Sequence, residues 1–402
     1  MSSVDATHPA LPRWKRLLFT GVFLLLLACI LEGGARLYLR MFRGYDGRHL
    51  YQYAFDPYKN ILPTPNYVDT RGIRHNAQGF RHDTDVPREK PAETCRIFLM
   101  GGSTAYGLGG LWPHLQREFE VLDNSQTIDT YLERDLRDAL PGRKIEVINA
   151  AITSTWTHHS LIYLNQSILG YSPDMVLFLD GFNDAYFYNE DHDQFGSYSY
   201  SLPSRVILGE PTFTALVYAN GWWLFRRSAF ANLAGRGLRF VKLLVTPRKE
   251  RKPIDVDQAL AGLYSVFPRN ALKMHRRMAL ILKDEGVTPV FMLQPMLVLE
   301  RGHKPMSEME QKLFDFNVSS YLPNYEAYSG AARDFVAQEE ARNARETGAS
   351  FLDLTTVFAG RPEQMYTDYA HLTPLGNELV AARIRDQILP LLAEHANCAS
   401  PR

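Results

Sequence analysis

Apolar and polar positions along this 402-residue chain fall into two alternating periods. Short apolar segments, unbroken at 97–100, 175–179 and 289–293 and carrying polar residues at 145–149 and 350–354, are the candidate strands. Runs of that length, bounded by turn residues, read as strands buried on both faces. Between them, residues 126–140, 158–169, 271–285, 331–347 and 374 to about 394 are patterned at helical spacing. Gly142 past Leu140, and Pro374 in the first turn of the last segment, fit helix stop and start chemistry. Strands alternating with helices predict an α/β fold: a doubly wound, flavodoxin-like, five-stranded parallel sheet flanked by helices. Its ligands belong at the carboxyl ends of the strands.

Two stretches depart from that rhythm. Residues 186–257 form a long aromatic insertion containing Ser197-Tyr198-Ser199-Tyr200 and, within 213–225, Trp222 and Trp223. A lid helix, a membrane-surface helix, a glycan-stacking surface and a helix packed on the core all fit it. Residues 296–329 make a second insertion at the same sheet edge.

Near the start, Arg13-Trp14-Lys15-Arg16 leads into an apolar run from Leu17 to Leu31, broken only by Thr20 and Gly21. Continued as a helix past Glu32 through Arg40, it reaches the roughly 20 residues that span a bilayer. No clean small-x-small cleavage site follows. Leu26-Leu27-Ala28-Cys29 loosely resembles a lipobox, but the residues after Cys29 stay apolar and helical. The pattern predicts an uncleaved single-span anchor at 17–40 after a cytoplasmic tail at 1–16. A linker with a small antiparallel elaboration follows at 41–94, then a catalytic domain at 95–398 outside the cytoplasm.

Lys plus Arg and Asp plus Glu both total 44, so net charge gives no reason to expect a nucleic-acid partner. Of the three cysteines, Cys29 lies in the span, Cys95 precedes the first strand and Cys398 lies near the end. Outside the cytoplasm a disulfide is permitted. A last helix starting at Pro374 and running back along the sheet would end near the entry of the first strand. That topology predicts a Cys95–Cys398 bridge.

The chemistry begins where the first strand exits, at Gly101-Gly102-Ser103-Thr104. A serine hydroxyl there stands at the sheet rim with no bulky side chain before it. Alone, this is an ordinary strand-to-turn exit. Serine becomes a nucleophile only when a base takes its proton, and histidine is the usual base near neutral pH. Asp368-Tyr369-Ala370-His371 sets a carboxylate one turn before an imidazole, where it can orient the ring. By itself Asp-x-x-His is also a common surface turn, and it lacks further ligands at metal-binding spacing. The neighbouring His158 and His159 are expected to point apart. Ester chemistry also needs donors for an oxyanion. Asn183, in Gly181-Phe182-Asn183-Asp184, and the backbone after Asn149 both leave strands at the same rim.

Taken together, the set resembles the SGNH (GDSL-like) hydrolase superfamily, in its membrane-anchored branch. Four blocks occur in order: Gly101-Gly102-Ser103, Asn149 to Thr155, Gly181-x-Asn183-Asp184 and Asp368-x-x-His371. Gly102 stands where the family carries aspartate, and Ser154 where it carries glycine. The run Asn76-Ala77-Gln78-Gly79-Phe80-Arg81 also looks like one common before such domains in anchored members. The resemblance implies Ser103 as nucleophile, His371 as base and Asp368 as its orienting carboxylate. The oxyanion hole would be the Ser103 N–H, the Ser154 N–H and the Asn183 side chain. Gly102, Gly181 and Asp184 would support them, and no metal or organic cofactor is called for.

The implied function is a membrane-anchored esterase acting on O-acyl, foremost O-acetyl, esters of carbohydrate or polysaccharide. Three alternatives use the same residues: an O-acetyltransferase in exopolysaccharide modification, a lipase or thioesterase, and a non-catalytic assembly module with a relic site. A nucleotide-binding reading fails, since no Gly-Lys-Ser/Thr follows the glycines.

Overall fold

Five strands form over the five apolar runs, each within a few residues of the pattern. They are β3 (Thr94–Gly101), β4 (Lys144–Asn149), β5 (Met175–Asp180), β6 (Thr288–Leu293) and β7 (Ser350–Asp353). A hairpin of β1 (Tyr53–Asp56) and antiparallel β2 (Asn60–Pro63) precedes them. The computed structural model describes residues 12–43, 52–56, 60–69, 71–112, 114–116, 118–119, 121–186, 227–245, 253–318, 324–395 and 397–398. The chain divides into two compact units, one of residues 51–216 and 248–402, the other of 1–50 and 217–247.

In the larger unit the sheet order is β4-β3-β5-β6-β7, every pair parallel. The crossovers reverse direction between β3 and β5, which is the switch point where such sheets bind ligands. Strand side chains alternate between two cores. Ile97, Leu99, Leu177, Leu179 and Met292 share one face with Leu132 and Leu136 of α3 (Ile128–Ala139) and with Ile384 and Ile388 of α11 (Pro374–Leu392). Phe98, Met100, Val176, Phe178 and Phe291 share the other with Leu164 of α4 (Thr157–Gln166) and Met278 and Leu282 of α8 (Ala271–Asp284). Fully burying each such side chain contributes roughly 1.5–3 kcal/mol, so neither face tolerates polar alternation.

The helices differ from the sequence pattern in particulars. A separate 3-10 turn, Asn124–Gln126, precedes α3, capped by the Asp123 side chain on Ser125 N–H. After Gln166 the helix gives way to a 3-10 turn, Ile168–Tyr171. Helix α10 (Tyr325–Thr347) starts earlier than residue 331, because Tyr325, Tyr328 and Ser329 are all buried and their packing overrides Gly330. Helix α7 (Val256–Val266) starts at the end of the first expected insertion and α9 (Glu308–Phe316) lies inside the second; both belong to the folded unit, and Leu263 and Leu313 enter its core. Ser197 to Tyr200 and residues 213–225 lie outside the described residues.

In the smaller unit α1 (Arg13–Arg43) is a single helix, long and apolar enough over Arg13–Phe42 to cross a membrane. Helix α6 (Ala229–Val245) packs on its second half, where Ala35, Leu39 and Ala229 are buried together.

Candidate active site

The exit of β3 turns abruptly into α2 (Ser103–Tyr106), a single helical turn capped at its end by left-handed Gly107. Gly101 has φ +142°, and a Cβ there would lie 2.3 Å from the Leu179 carbonyl oxygen of the adjoining strand. Only glycine allows the turn to start so close to β5. Beneath α2 the side chains of Asn149 and Arg81 hold it in place. Asn149, fully buried, donates through Nδ2 to the Ala105 carbonyl and to Asp129 Oδ1. Arg81 donates to the carbonyls of Tyr106, Gly107 and Leu122 and to Asn124 Oδ1, all at 2.6–3.0 Å. A buried guanidinium is tolerable only with such a full set of acceptors.

Across the crevice, residues 365–373 fold back on themselves: Thr367 N–H donates to the His371 carbonyl and Thr373 N–H to that of Met365. Thr373 then caps α11 through the Gly376 N–H. The loop is tied to its neighbours by Gln116 Nε2 on the Thr367 carbonyl and by Thr104 Oγ1 on that of Ala370. Gln294 Nε2 donates in turn to Thr104 Oγ1. Glu310, buried with Lys304 at 2.5 Å, accepts from the Met365 N–H.

This frame brings three of the expected residues into one chain of hydrogen bonds. His371 Nε2 lies 2.8 Å from Ser103 Oγ, and His371 Nδ1 lies 2.7 Å from Asp368 Oδ2. Asp368 Oδ2 also accepts from Leu111 N–H, and Oδ1 from the N–H groups of Ala370 and His371, each at 2.9 Å. Burial alone would raise the Asp368 carboxyl, but His371 and these amides hold it below its ordinary value. An ionised carboxylate only accepts, so Nδ1 carries the ring proton and the Nε2 lone pair faces the serine hydroxyl. Asp368 and His371 are almost wholly inaccessible to solvent, while Ser103 is half-buried.

Of the oxyanion candidates, Asn183 lies beside the same turn. Asn183 follows β5 in the short helix α5 (Phe182–Tyr186), and its Nδ2 donates to the Thr155 carbonyl at 2.6 Å. A Cβ on Gly102 would sit 3.3 Å from that Nδ2, so the bare glycine leaves the amide room beside Ser103. Ser154 is exposed with φ +57°, a left-handed conformation that favours the glycine of the resemblance. Gly181 has φ +96°. Asp184 accepts from the Thr157 N–H and hydroxyl, so it braces the start of α4.

His158 and His159 do not point apart; their rings lie 3.9 Å from centroid to centroid. The Trp156 N–H donates to His159 Nδ1 and turns that ring back toward its neighbour. Burial pushes the two imidazoles down to about 4 and about 3. Behind the Asn183 turn, Asp180 accepts from the Ser160 hydroxyl, and His275 Nδ1 pairs with Glu340 at 2.6 Å. Burial pushes Asp180 up to about 7, with His275 opposing and Asp184 adding to the rise. Cys95 and Cys398 are brought together as a disulfide, Cα atoms 4.8 Å apart.

No protein-family model matches this chain, and no curated protein matches it either. Its likeness is to solved structures that include acetyl xylan esterases. TesA is 14% identical over 74% of this chain and 99% of its own, with a TM-score of 0.38. The acetyl xylan esterase AlAXEase is 12% identical over 73% of this chain and 100% of its own, TM-score 0.35. Axe2, an acetylxylan esterase from Geobacillus stearothermophilus, is 13% identical over 73% and 94%, TM-score 0.37. At such identities and scores, the functional reading rests on the site's own geometry.

The sequence singled out Ser103, Asn183, Asp368 and His371, and passed over the groups that hold them. Leu111, Thr104, Gln116 and Gln294 carry no motif signal. Arg81 had one, closing the run that begins at Asn76. Glu310 had another, in Ser307-Glu308-Met309-Glu310, the spacing of a capping box that the structure contains.

Proposed function

We propose that this chain is a membrane-anchored serine esterase that hydrolyses O-acyl, foremost O-acetyl, esters on carbohydrate. The observation that carries the reading is the continuous relay from Asp368 through His371 to Ser103, at 2.7 and 2.8 Å. Ser103 Oγ attacks the ester carbonyl while its proton passes to His371 Nε2, and Asp368 stabilises the imidazolium that forms. The Ser103 N–H, the Ser154 N–H and Asn183 Nδ2 hold the developing oxyanion. Asn183 has two amide protons, so donating one to the Thr155 carbonyl leaves the other for substrate. Collapse breaks the ester bond, and His371 returns the proton to the leaving sugar hydroxyl. Water, giving its proton to His371, then attacks the acyl-enzyme; the bond to Ser103 Oγ breaks, the acid leaves, and His371 returns the proton to Ser103 Oγ.

The apolar helix α1 supports attachment to a membrane. The paired Cys95 and Cys398 support an oxidising compartment outside the cytoplasm. The substrate half of the reading is tested with acetylated oligosaccharides against aliphatic esters of increasing chain length, followed by mass spectrometry. Loss of acetyl mass from the sugar is the expected result. A mass gain on a sugar acceptor supplied with an acetyl donor would instead indicate transfer, and turnover rising with chain length would indicate a lipase or thioesterase.

A further inference from the structure

Within the smaller unit, Glu32 ends the apolar run of α1. Counted from Leu17, Glu32 lies about 22 Å along α1, short of the ~30 Å hydrocarbon thickness. A carboxylate at that depth needs partners, and α6 supplies them. Glu32 accepts from the N–H groups of Ala229 and Phe230 at 3.0 and 3.1 Å and from the Ser228 hydroxyl at 2.8 Å. Arg36, one turn on, pairs with it at 2.7 Å and donates to the Arg227 carbonyl. Glu32 therefore caps the first turn of α6 and fixes it on α1, toward the far end of the apolar run.

Helix α6 has a second face that α1 does not cover. Ala229 is fully buried against α1, whereas Phe230, Leu238 and Val241 are 42%, 72% and 53% exposed. These three fall within one quadrant of a helical wheel. The sequence also places Arg236, Arg239 and Lys242 in one row at three-residue spacing, with no acidic residue between Arg227 and Val245. An exposed apolar face on a helix whose charged residues are all basic is the pattern of a helix lying in a bilayer interface.

We infer that α6 is a second membrane-contacting element, an interfacial helix docked on the anchor by Glu32 and seated on anionic lipid headgroups. This rests on the reading of α1 as a membrane anchor. The anionic bilayer is chosen over other occupants because the basic row is complementary to it and because α6 is hydrogen-bonded to the helix that enters it.

The test uses the full chain in nanodiscs of phosphatidylcholine with or without phosphatidylglycerol. A fluorophore on native Cys29 reports on the anchor; in a Cys29→Ser background, Leu238→Cys, and separately Val241→Cys, report on α6. Nitroxide lipids labelled deep or shallow in the acyl chain, and aqueous iodide, serve as quenchers. The expected result is deep quenching at Cys29 and shallow quenching at 238 and 241, with iodide quenching there lower by about threefold or more. Anionic lipid should strengthen the shallow quenching, and neutralising Arg236, Arg239 and Lys242 to Gln should remove that gain. Iodide access at 238 and 241 without lipid quenching, beside a deep Cys29, overturns the inference and leaves the anchor intact. Protection from both quenchers means that protein covers the face and also overturns it. A Cys29 label that lipid does not quench overturns the anchor reading, and this inference with it.

Discussion

Replacing Asp368 by Asn tests the relay at its buried end. The carboxylate accepts two N–H groups at each oxygen: Ala370 and His371 backbone at Oδ1, Leu111 backbone and His371 Nδ1 at Oδ2. An amide NH2 therefore faces two donors in either orientation. Placed at the Oδ1 position, it strands two backbone N–H groups, at about 1–3 kcal/mol each. Placed at the Oδ2 position, it strands only Leu111 N–H, because His371 can change tautomer and accept at Nδ1. The second arrangement wins by one stranded donor. Its consequence is chemical: Nε2 then carries the proton, donates to Ser103 Oγ and no longer serves as base. Asp368→Asn should therefore lose about 1–3 kcal/mol of stability and on the order of 10⁴ in kcat, with KM nearly unchanged. Turnover of p-nitrophenyl acetate and thermal melting measure both. A variant that melts like the parent and keeps kcat within about tenfold would refute the argument from donor counting.

Two further outcomes follow from the buried groups. Asp180, raised from 3.8 to about 7, binds a proton in the native state over a range where the unfolded chain has lost it. Its contribution is thus most favourable below about pH 4 and erodes as pH rises to about 7, by up to about 4 kcal/mol. Asp180→Asn should raise the melting temperature more at pH 8 than at pH 5, and an equal or reversed difference would contradict this. The Cys95–Cys398 bridge joins positions 303 residues apart. Cys398→Ser should destabilise the domain by about 2–5 kcal/mol, reductant should reproduce the drop in the parent, and reductant should leave the variant's melt unchanged.

The central strands were legible because β3, β5 and β6 carry runs that are apolar on both faces, whereas β4 and β7, at the sheet edges, carry polar residues and were read from their spacing. The helices were legible where amphipathic spacing stood between two strands, as in α3 and α8. Helices α7 and α9 went unread because they sit inside long connections that the minimal fold does not require. Yet their starts were written in Asp255, which caps the Gln258 N–H, and in the Ser307–Glu310 capping box. At the site, the residues that would meet substrate lie next to glycines or one helical turn apart, so spacing exposes them. The residues that hold them act across the fold: Arg81 on the end of α2, Leu111 on Asp368, Gln116 on Thr367. Contacts between segments tens or hundreds of residues apart leave no local pattern. The close approach of His158 and His159 was likewise set by a backbone donor, Trp156 N–H, and not by their adjacency.

The most direct test of the account is covalent labelling of the full-length protein with a fluorophosphonate, followed by peptide mass spectrometry. A single adduct is expected, on the peptide carrying Ser103. The adduct should be absent from Ser103→Ala, which should retain the parent's melting behaviour, and slowed by orders of magnitude in His371→Ala. An unlabelled parent, or a label on another serine that persists in Ser103→Ala, would contradict it.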